Sequence, residues 1–418
     1  MTAQTPLDTD AIQAALDRED YETVITQVRA AIAADPAGAV TDPVIADWIG
    51  RRFRNIFITE CEADPEARKH SEAPFPLKLV DPRDQREKIA GKMLRIVSDA
   101  EIHAEMPPAH APPLTNTTLL FAPGLLTGLL PNLAFQSVWP QIENRFGLRV
   151  LAADSHPMRS TDANVADLEN AIERGIGVAP DPEGSLITEA DNPTPPGDVL
   201  LIGYSKGSPD ILSLLVQRPD LAPRIRGIIG WAGAIGGSYL ADDIYQQLTS
   251  LKLPTSTGDL TKDVTRAVMK LAPITQIRKI DRRIPEYDIV GAIRSLTTTA
   301  RAEFLAEHRD EIAALGIPMF TFTGATTAFD VPYFQFRGTM ELAQKDLHND
   351  MQLVQAQARF PAEMGTQVAM LWGNHWDLSY DAFPWYTTMG STKLKDPFAR
   401  RAAMSSIVQL MAELGLLD

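Results

Sequence analysis

The chain has 418 residues, 44% hydrophobic and 22% charged, which excludes a single small module and a disordered chain and leaves room for a large buried core. With 39 Lys and Arg against 54 Asp and Glu, the formal net charge of -15 opposes nucleic acid and anionic membrane surfaces as partners. Cys61 stands alone, so no disulfide framework or Cys-based metal site forms within one chain.

The start of the chain lacks the basic opening and continuous apolar stretch of a secretory signal, which makes the cytoplasm the expected compartment. The most apolar windows, 118–130 and 227–240, are shorter than the roughly 20 residues of a membrane helix and are broken by Gly or Pro, so no integral membrane association is expected. Residues 8–35 read as two helices, with apolar positions at helical spacing until Pro36 stops the run. Part of this stretch resembles half of a tetratricopeptide repeat, but an array needs several copies and no second one follows. Asp42 and Pro43 supply a cap and a first helical residue for the next helix, through Ile45, Trp48, Phe53 and Phe57. A further helix is expected over 84–100, before a proline-rich connector at 103–113. The division expected from this is an N-terminal helical region, 1–112, and a second domain, 113–418. The N-terminal helices can pack on that domain, support a cap or form a homo-oligomer, and their apolar stripes do not choose among these.

From there the pattern becomes short β-rich runs alternating with helices. Strands are expected at 117–121, 148–153, 199–203, 227–231, 319–323 and 368–373, and helices at 163–174, 209–217 and 340–359. Such alternation gives an α/β fold, with a mostly parallel sheet of about six core strands covered on both faces. Two stretches depart from it: a Pro-rich surface insert at 179–197 and a set of helices at 238–316, read as a helical cap insertion.

Gly203-Tyr204-Ser205-Lys206-Gly207 is a GxSxG pattern with an apolar strand before it and a helix after it. A serine in a tight strand-to-helix turn has its hydroxyl lifted above the sheet, and flanking glycines leave room where side chains would collide. Pro209 fits the first turn of that helix, where its missing N–H has no intrahelical partner to lose.

With this motif the chain resembles the α/β-hydrolase superfamily, and more closely its bacterial lipase and esterase branch, from about residue 115 to the C-terminus. The resemblance implies a nucleophile elbow at Gly203, Ser205 and Gly207. Phe121-Ala122-Pro123-Gly124-Leu125 stands where lipases carry an oxyanion loop, with Pro123 in place of the usual histidine. That implies backbone N–H donors from Leu125 and Lys206. Gly324 to Pro332 resembles the loop that holds the family's triad acid, which implies Asp330, and Asn374-His375-Trp376 stands where the family places its histidine. The order Ser205, Asp330, His375 is that of the fold. His156, which follows a core strand, remains a competitor to His375.

A neutral serine is a poor nucleophile, so an imidazole must take its proton, and a carboxylate must fix that imidazole's tautomer. The resemblance therefore implies a serine hydrolase for small hydrophobic esters, with no cofactor. Thioester hydrolysis and acyl transfer on the same triad stay open, as does a non-catalytic binding protein on the same scaffold. Asp377 is similar to a calcium ligand of some bacterial lipases, but calcium takes about six to eight oxygens and no second carboxylate is identifiable, so no metal is expected.

Overall fold

The computed structural model describes residues 8–73, 75–95, 97–250, 283–388, 391 and 398–418. Of the expected insertion 238–316, residues 251–282 lie outside the described residues.

Six parallel strands form the centre of one sheet: β2 (Thr117–Ala122), β3 (Arg149–Ala152), β6 (Asp198–Tyr204), β7 (Ile225–Trp231), β8 (Met319–Ala325) and β9 (Gly365–Trp372). Three two-residue strands, β1 (Leu94–Arg95), β4 (Gly177–Val178) and β5 (Leu186–Ile187), extend its edges in antiparallel pairing. The order is β1-β9-β8-β7-β6-β2-β3-β4-β5, so the expected core strands sit within a sheet of nine among the described residues.

Strand parity sorts the core, because successive side chains point to opposite faces. Leu119, Phe121, Leu200, Ile202, Ile229 and Phe322 face one cluster, and Leu120, Ala122, Val199, Leu201 and Ile228 face the other. The first face is covered by α1 (Thr9–Leu16), α2 (Tyr21–Ala34), α3 (Pro36–Thr41), α4 (Pro43–Ala63), α5 (Pro65–Ser71), α6 (Gln85–Met93), α7 (Asp99–Ile102), α8 (Trp139–Phe146) and the last helix, Arg400–Glu413. The second is covered by α9 (Thr161–Arg174), α10 (Gly207–Gln217) and the helix Thr298–Ala313.

The N-terminal helices start where their sequence says they should. Asp8, Asp20, Asp35, Asp42, Asp64 and Asp84 each accept a backbone N–H at a helix N-terminus, and Pro36, Pro43 and Pro65 occupy first turns. Within α4, Phe53 and Phe57 are fully buried, each contributing roughly 1.5–3 kcal/mol. That exceeds per-residue helix-propensity differences of under about 0.7 kcal/mol, so packing holds α4 in place. Arg52 is buried with it and makes a forked pair with Glu413 at 2.8 and 2.6 Å, joining α4 to the last helix.

Two helices differ from expectation. The run over 84–100 stops at Met93, because Leu94 and Arg95 pair with Leu371 and Met370 of β9. The run over 340–359 is helical only at Phe336–Ala343. Beyond it, Asp346, Asn349 and Asp350 each accept backbone N–H groups two or three residues on, at 2.7–3.1 Å, and these local bonds replace the helical ladder. Among the described residues, no helix is long and apolar enough to cross a membrane.

Candidate active site

β6 ends at Tyr204 and α10 begins at Gly207, so the chain turns at Ser205, whose φ is +52°. A non-glycine residue in this region is strained by on the order of 1–3 kcal/mol and persists only when its surroundings hold it. Ser205 N–H donates to the Trp231 carbonyl at 3.3 Å, and its own carbonyl accepts from Ala234 and Ser208 at 3.0 and 3.2 Å. The two motif glycines answer close approaches. A Cβ on Gly207 would lie 1.9 Å from the Ala122 carbonyl oxygen, and one on Gly203 would lie 2.7 Å from Ser208 backbone.

His375 lies just past β9, and its N–H donates to the Asp350 carbonyl at 2.7 Å. Its Nδ1 is 2.8 Å from Asp350 Oδ2. The other carboxylate oxygen of Asp350 accepts from Gln352 and Leu353 N–H at 2.9 and 2.7 Å, so three donors converge on one buried carboxylate. In neutral imidazole, Nδ1–H donating to that carboxylate leaves Nε2 as the proton acceptor. Nε2 is buried and has no hydrogen-bond partner among the described residues. Tyr204 supports the same loop: its hydroxyl donates to the His375 carbonyl at 3.0 Å and its ring lies 5.0 Å from the imidazole. Burial pushes the Tyr204 phenol well up, so it stays a neutral donor.

Ser205 and His375 line the same narrow cavity, of ≈ 70 Å³, walled by Leu125, Leu126, Leu130, Leu240, Ile244, Ile293, Trp376 and Tyr380. Leu240 and Ile244 belong to α11 (Tyr239–Ser250), so the described part of 238–316 supplies one wall, while Thr298–Ala313 packs on the far face of the sheet. The loop after β2 approaches the serine closely: a Cβ on Gly124 would stand 2.9 Å from Ser205 Cβ. The backbone N–H groups of Leu125 and Lys206 have no hydrogen-bond partner among the described residues, whereas the next residue, Leu126, is at φ +64° and donates to the Pro157 carbonyl at 3.1 Å.

The structure does not bring the expected Asp330 to the imidazole. Asp330 ends a short turn, is exposed, and its carboxylate accepts from Thr327 Oγ1 at 2.8 Å; the carboxylate on Nδ1 is Asp350. The position still touches the site through its backbone, since the Asp330 carbonyl accepts from Asn374 Nδ2 at 3.1 Å. Asp377 accepts from Asn374 Nδ2 at 2.5 Å and serves the same loop. His156 is buried beside Arg159 and Arg283, outside the cavity that holds Ser205. The Lys206 side chain turns away into the protein, where its Nζ meets Asp210 at 2.6 Å with both groups buried, and Asn164 Nδ2 donates to the same carboxylate at 3.0 Å. Sequence reasoning missed Asp350 and the bond from the Tyr204 hydroxyl to the His375 carbonyl. The signal for the first was the run Asp346-Leu347-His348-Asn349-Asp350, whose Asp and Asn residues favour turns over a helix.

No model of a known protein family matches the sequence, and no curated protein does. Among solved structures, a metagenomic carboxyl esterase is similar at a TM-score of 0.60 and 20% identity, over 86% of this chain and 90% of that one. The mature form of the Bacillus licheniformis lipase BlEst2 is similar at a TM-score of 0.41 and 18% identity, over 64% of this chain and 88% of that one. The strand order, the crossovers and the first of these similarities agree: this chain has the α/β-hydrolase fold.

Proposed function

We propose that the chain is a serine hydrolase of carboxylic esters carrying a hydrophobic acyl or aromatic group, acting through Ser205, His375 and Asp350. The observation that carries this reading is the unpartnered Nε2 of His375 in a cavity that Ser205 also lines, with the opposite ring nitrogen fixed by a buried carboxylate. Nε2 takes the proton of Ser205 Oγ as that oxygen attacks the ester carbonyl, and the tetrahedral oxyanion accepts from the N–H groups of Leu125 and Lys206. Collapse expels the alcohol, which takes the proton from the imidazolium and leaves an acyl-serine. Water, deprotonated by the same Nε2, then releases the acid. Asp350 holds the Nδ1–H and stabilises the imidazolium. The apolar walls select the acyl group, since each buried CH₂ contributes about 0.8 kcal/mol.

The test is covalent labelling with a fluorophosphonate, followed by peptide mapping and a chain-length series of aryl esters. Label on Ser205, absent in Ser205→Ala, with ester turnover lost in the same variant, supports the reading. A folded protein with Ser205 unlabelled overturns it. Paired ester and thioester substrates decide which acyl donor is preferred.

A further inference from the structure

Asp350 lies outside any helix or strand, so its carboxylate depends on other groups to hold it at the imidazole. Its segment folds back on itself: Asp350 N–H donates to the Leu353 carbonyl at 3.0 Å, and Asn349 pairs with Val354. The carboxylates of Asp346 and Asp350 accept further backbone N–H groups of the same segment. These bonds shape the turn without fixing it to the sheet.

Two backbone bonds begin that attachment, from Thr326 N–H to the Asn349 carbonyl and from His375 N–H to the Asp350 carbonyl, both at 2.7 Å. A side chain completes it. Gln355 is 5% exposed, and its Nε2 donates to the His348 and Gly324 carbonyls, each at 2.7 Å. The first bond closes the base of the turn, because His348 and Gln355 flank 349–354. The second ties that base to β8 at a residue packed directly against the acid, since a Cβ on Gly324 would stand 2.8 Å from Asp350 Cβ. The same strand end carries the histidine loop, through Gly373 N–H donating to the Ala325 carbonyl at 2.9 Å. Acid and imidazole are thus referred to one support, Gly324 and Ala325.

The surrounding bonds leave the Gln355 amide one orientation. Arg359 Nη1 can only donate, so Gln367 Oε1 accepts from it at 3.1 Å, and Gln367 Nε2 donates to Thr323 Oγ1 at 2.8 Å and to Gln355 Oε1 at 3.2 Å. Gln355 Nε2 is then the atom that meets the two carbonyls. We infer that Gln355 is a positioning residue for the proposed reaction, whose amide sets where the Asp350 carboxylate stands relative to His375 Nδ1. The inference rests on the reading of Ser205, His375 and Asp350 as a triad.

The test is ester kinetics and proton NMR on the full chain. Gln355→Met keeps the bulk of the side chain, removes the amide and leaves the backbone bonds of the turn in place. Because a displacement of about 1 Å in a catalytic arrangement can cost on the order of a hundredfold, kcat should fall by roughly ten- to a hundredfold, with KM within about threefold. The downfield resonance of His375 Nδ1–H, assigned by its loss in His375→Gln, should move upfield, which a residue serving stability alone would not cause. Gln367→Met keeps the Gln355 donors and removes the group that orients them, so it should lower kcat by roughly threefold, the worth of one hydrogen bond. It keeps the test decisive if Gln355→Met does not fold. In a protein that hydrolyses esters, wild-type kcat or an unmoved resonance in the variants that fold would overturn the inference, as would loss of folding in both. A moved resonance in a protein that turns over no ester would keep Gln355 in this role toward Asp350 and His375, and lose the assignment of Ser205.

Discussion

His375 Nδ1 and Asp350 Oδ2 stand 2.8 Å apart with side chains only 2% and 1% exposed, while Asp330 bonds a threonine in its own turn. Asp350→Asn should therefore lower kcat on an aryl ester by about ten thousandfold, the loss seen when a serine protease's triad carboxylate becomes an amide. Asp330→Asn should stay within about threefold of wild type, because the carboxylate it changes does not reach the imidazole. Equal losses in the two variants would refute the assignment.

Ser205 holds a positive φ that suits glycine, so replacing it should separate stability from activity. Ser205→Gly is expected to unfold at ~0.5–1 kcal/mol greater stability than Ser205→Ala in urea, with both inactive. Gly207→Ala should do the opposite and cost 3 kcal/mol or more on the order of a severe core clash, since its Cβ would meet the Ala122 carbonyl at 1.9 Å.

The Lys206–Asp210 pair is buried on both sides, and removing one partner leaves an uncompensated charge. Asp210→Leu should destabilise by roughly 3–5 kcal/mol, and the double variant Lys206→Met with Asp210→Leu should recover most of that loss. Activity should survive in the double variant, because the oxyanion donor proposed at this position is the Lys206 backbone N–H, which the substitution keeps. Chemical denaturation and ester kinetics on the three proteins read both outcomes.

His156 gives acid sensitivity with a definite sign. Its folded-state titration lies at about 4 against an unfolded value near 6.5, so between these limits the unfolded chain binds more protons than the folded one. The stability it contributes is full above pH ~6.5 and falls away as the pH drops toward ~4, a loss on the order of 3 kcal/mol. In His156→Gln the slope of unfolding free energy against pH over that window should flatten by up to about one proton.

Leu240 is a partly exposed wall of the serine cavity, so Leu240→Ala should lengthen the acyl group it accepts. At about 0.8 kcal/mol per CH₂, two further carbons should raise the kcat/KM ratio of hexanoate to butyrate esters by roughly tenfold. An unchanged ratio would place the acyl chain elsewhere.

The sheet and its turn were legible because short, nearly continuous apolar runs and a glycine-flanked serine are local signals. All six core strands were found by them, and Ser205 and His375 sit where strand ends deliver them. Asp350 was not legible. Leu342, Leu353 and Val354 keep an apolar rhythm through 340–359 that reads as a helix, and this rhythm outweighs the turn-favouring Asp346, Asn349 and Asp350, which bond backbone instead. Asp330 offered a more familiar neighbourhood, and only the fold shows which carboxylate meets the imidazole. The partnership of Tyr204 with the His375 carbonyl spans 171 positions, beyond any periodicity.

The outer edge of β9 is closed by β1, and α4 lies across the same strand, with Arg54 Nη1 donating to the Val368 carbonyl at 3.4 Å. The loop bearing the imidazole thus hangs from a strand whose free side is guarded by the amino-terminal third of the polypeptide. Trimming the molecule back to its serine-bearing segment would bare that ladder and a phenylalanine-lined flank at once, inviting strand-to-strand aggregation rather than yielding a smaller working catalyst.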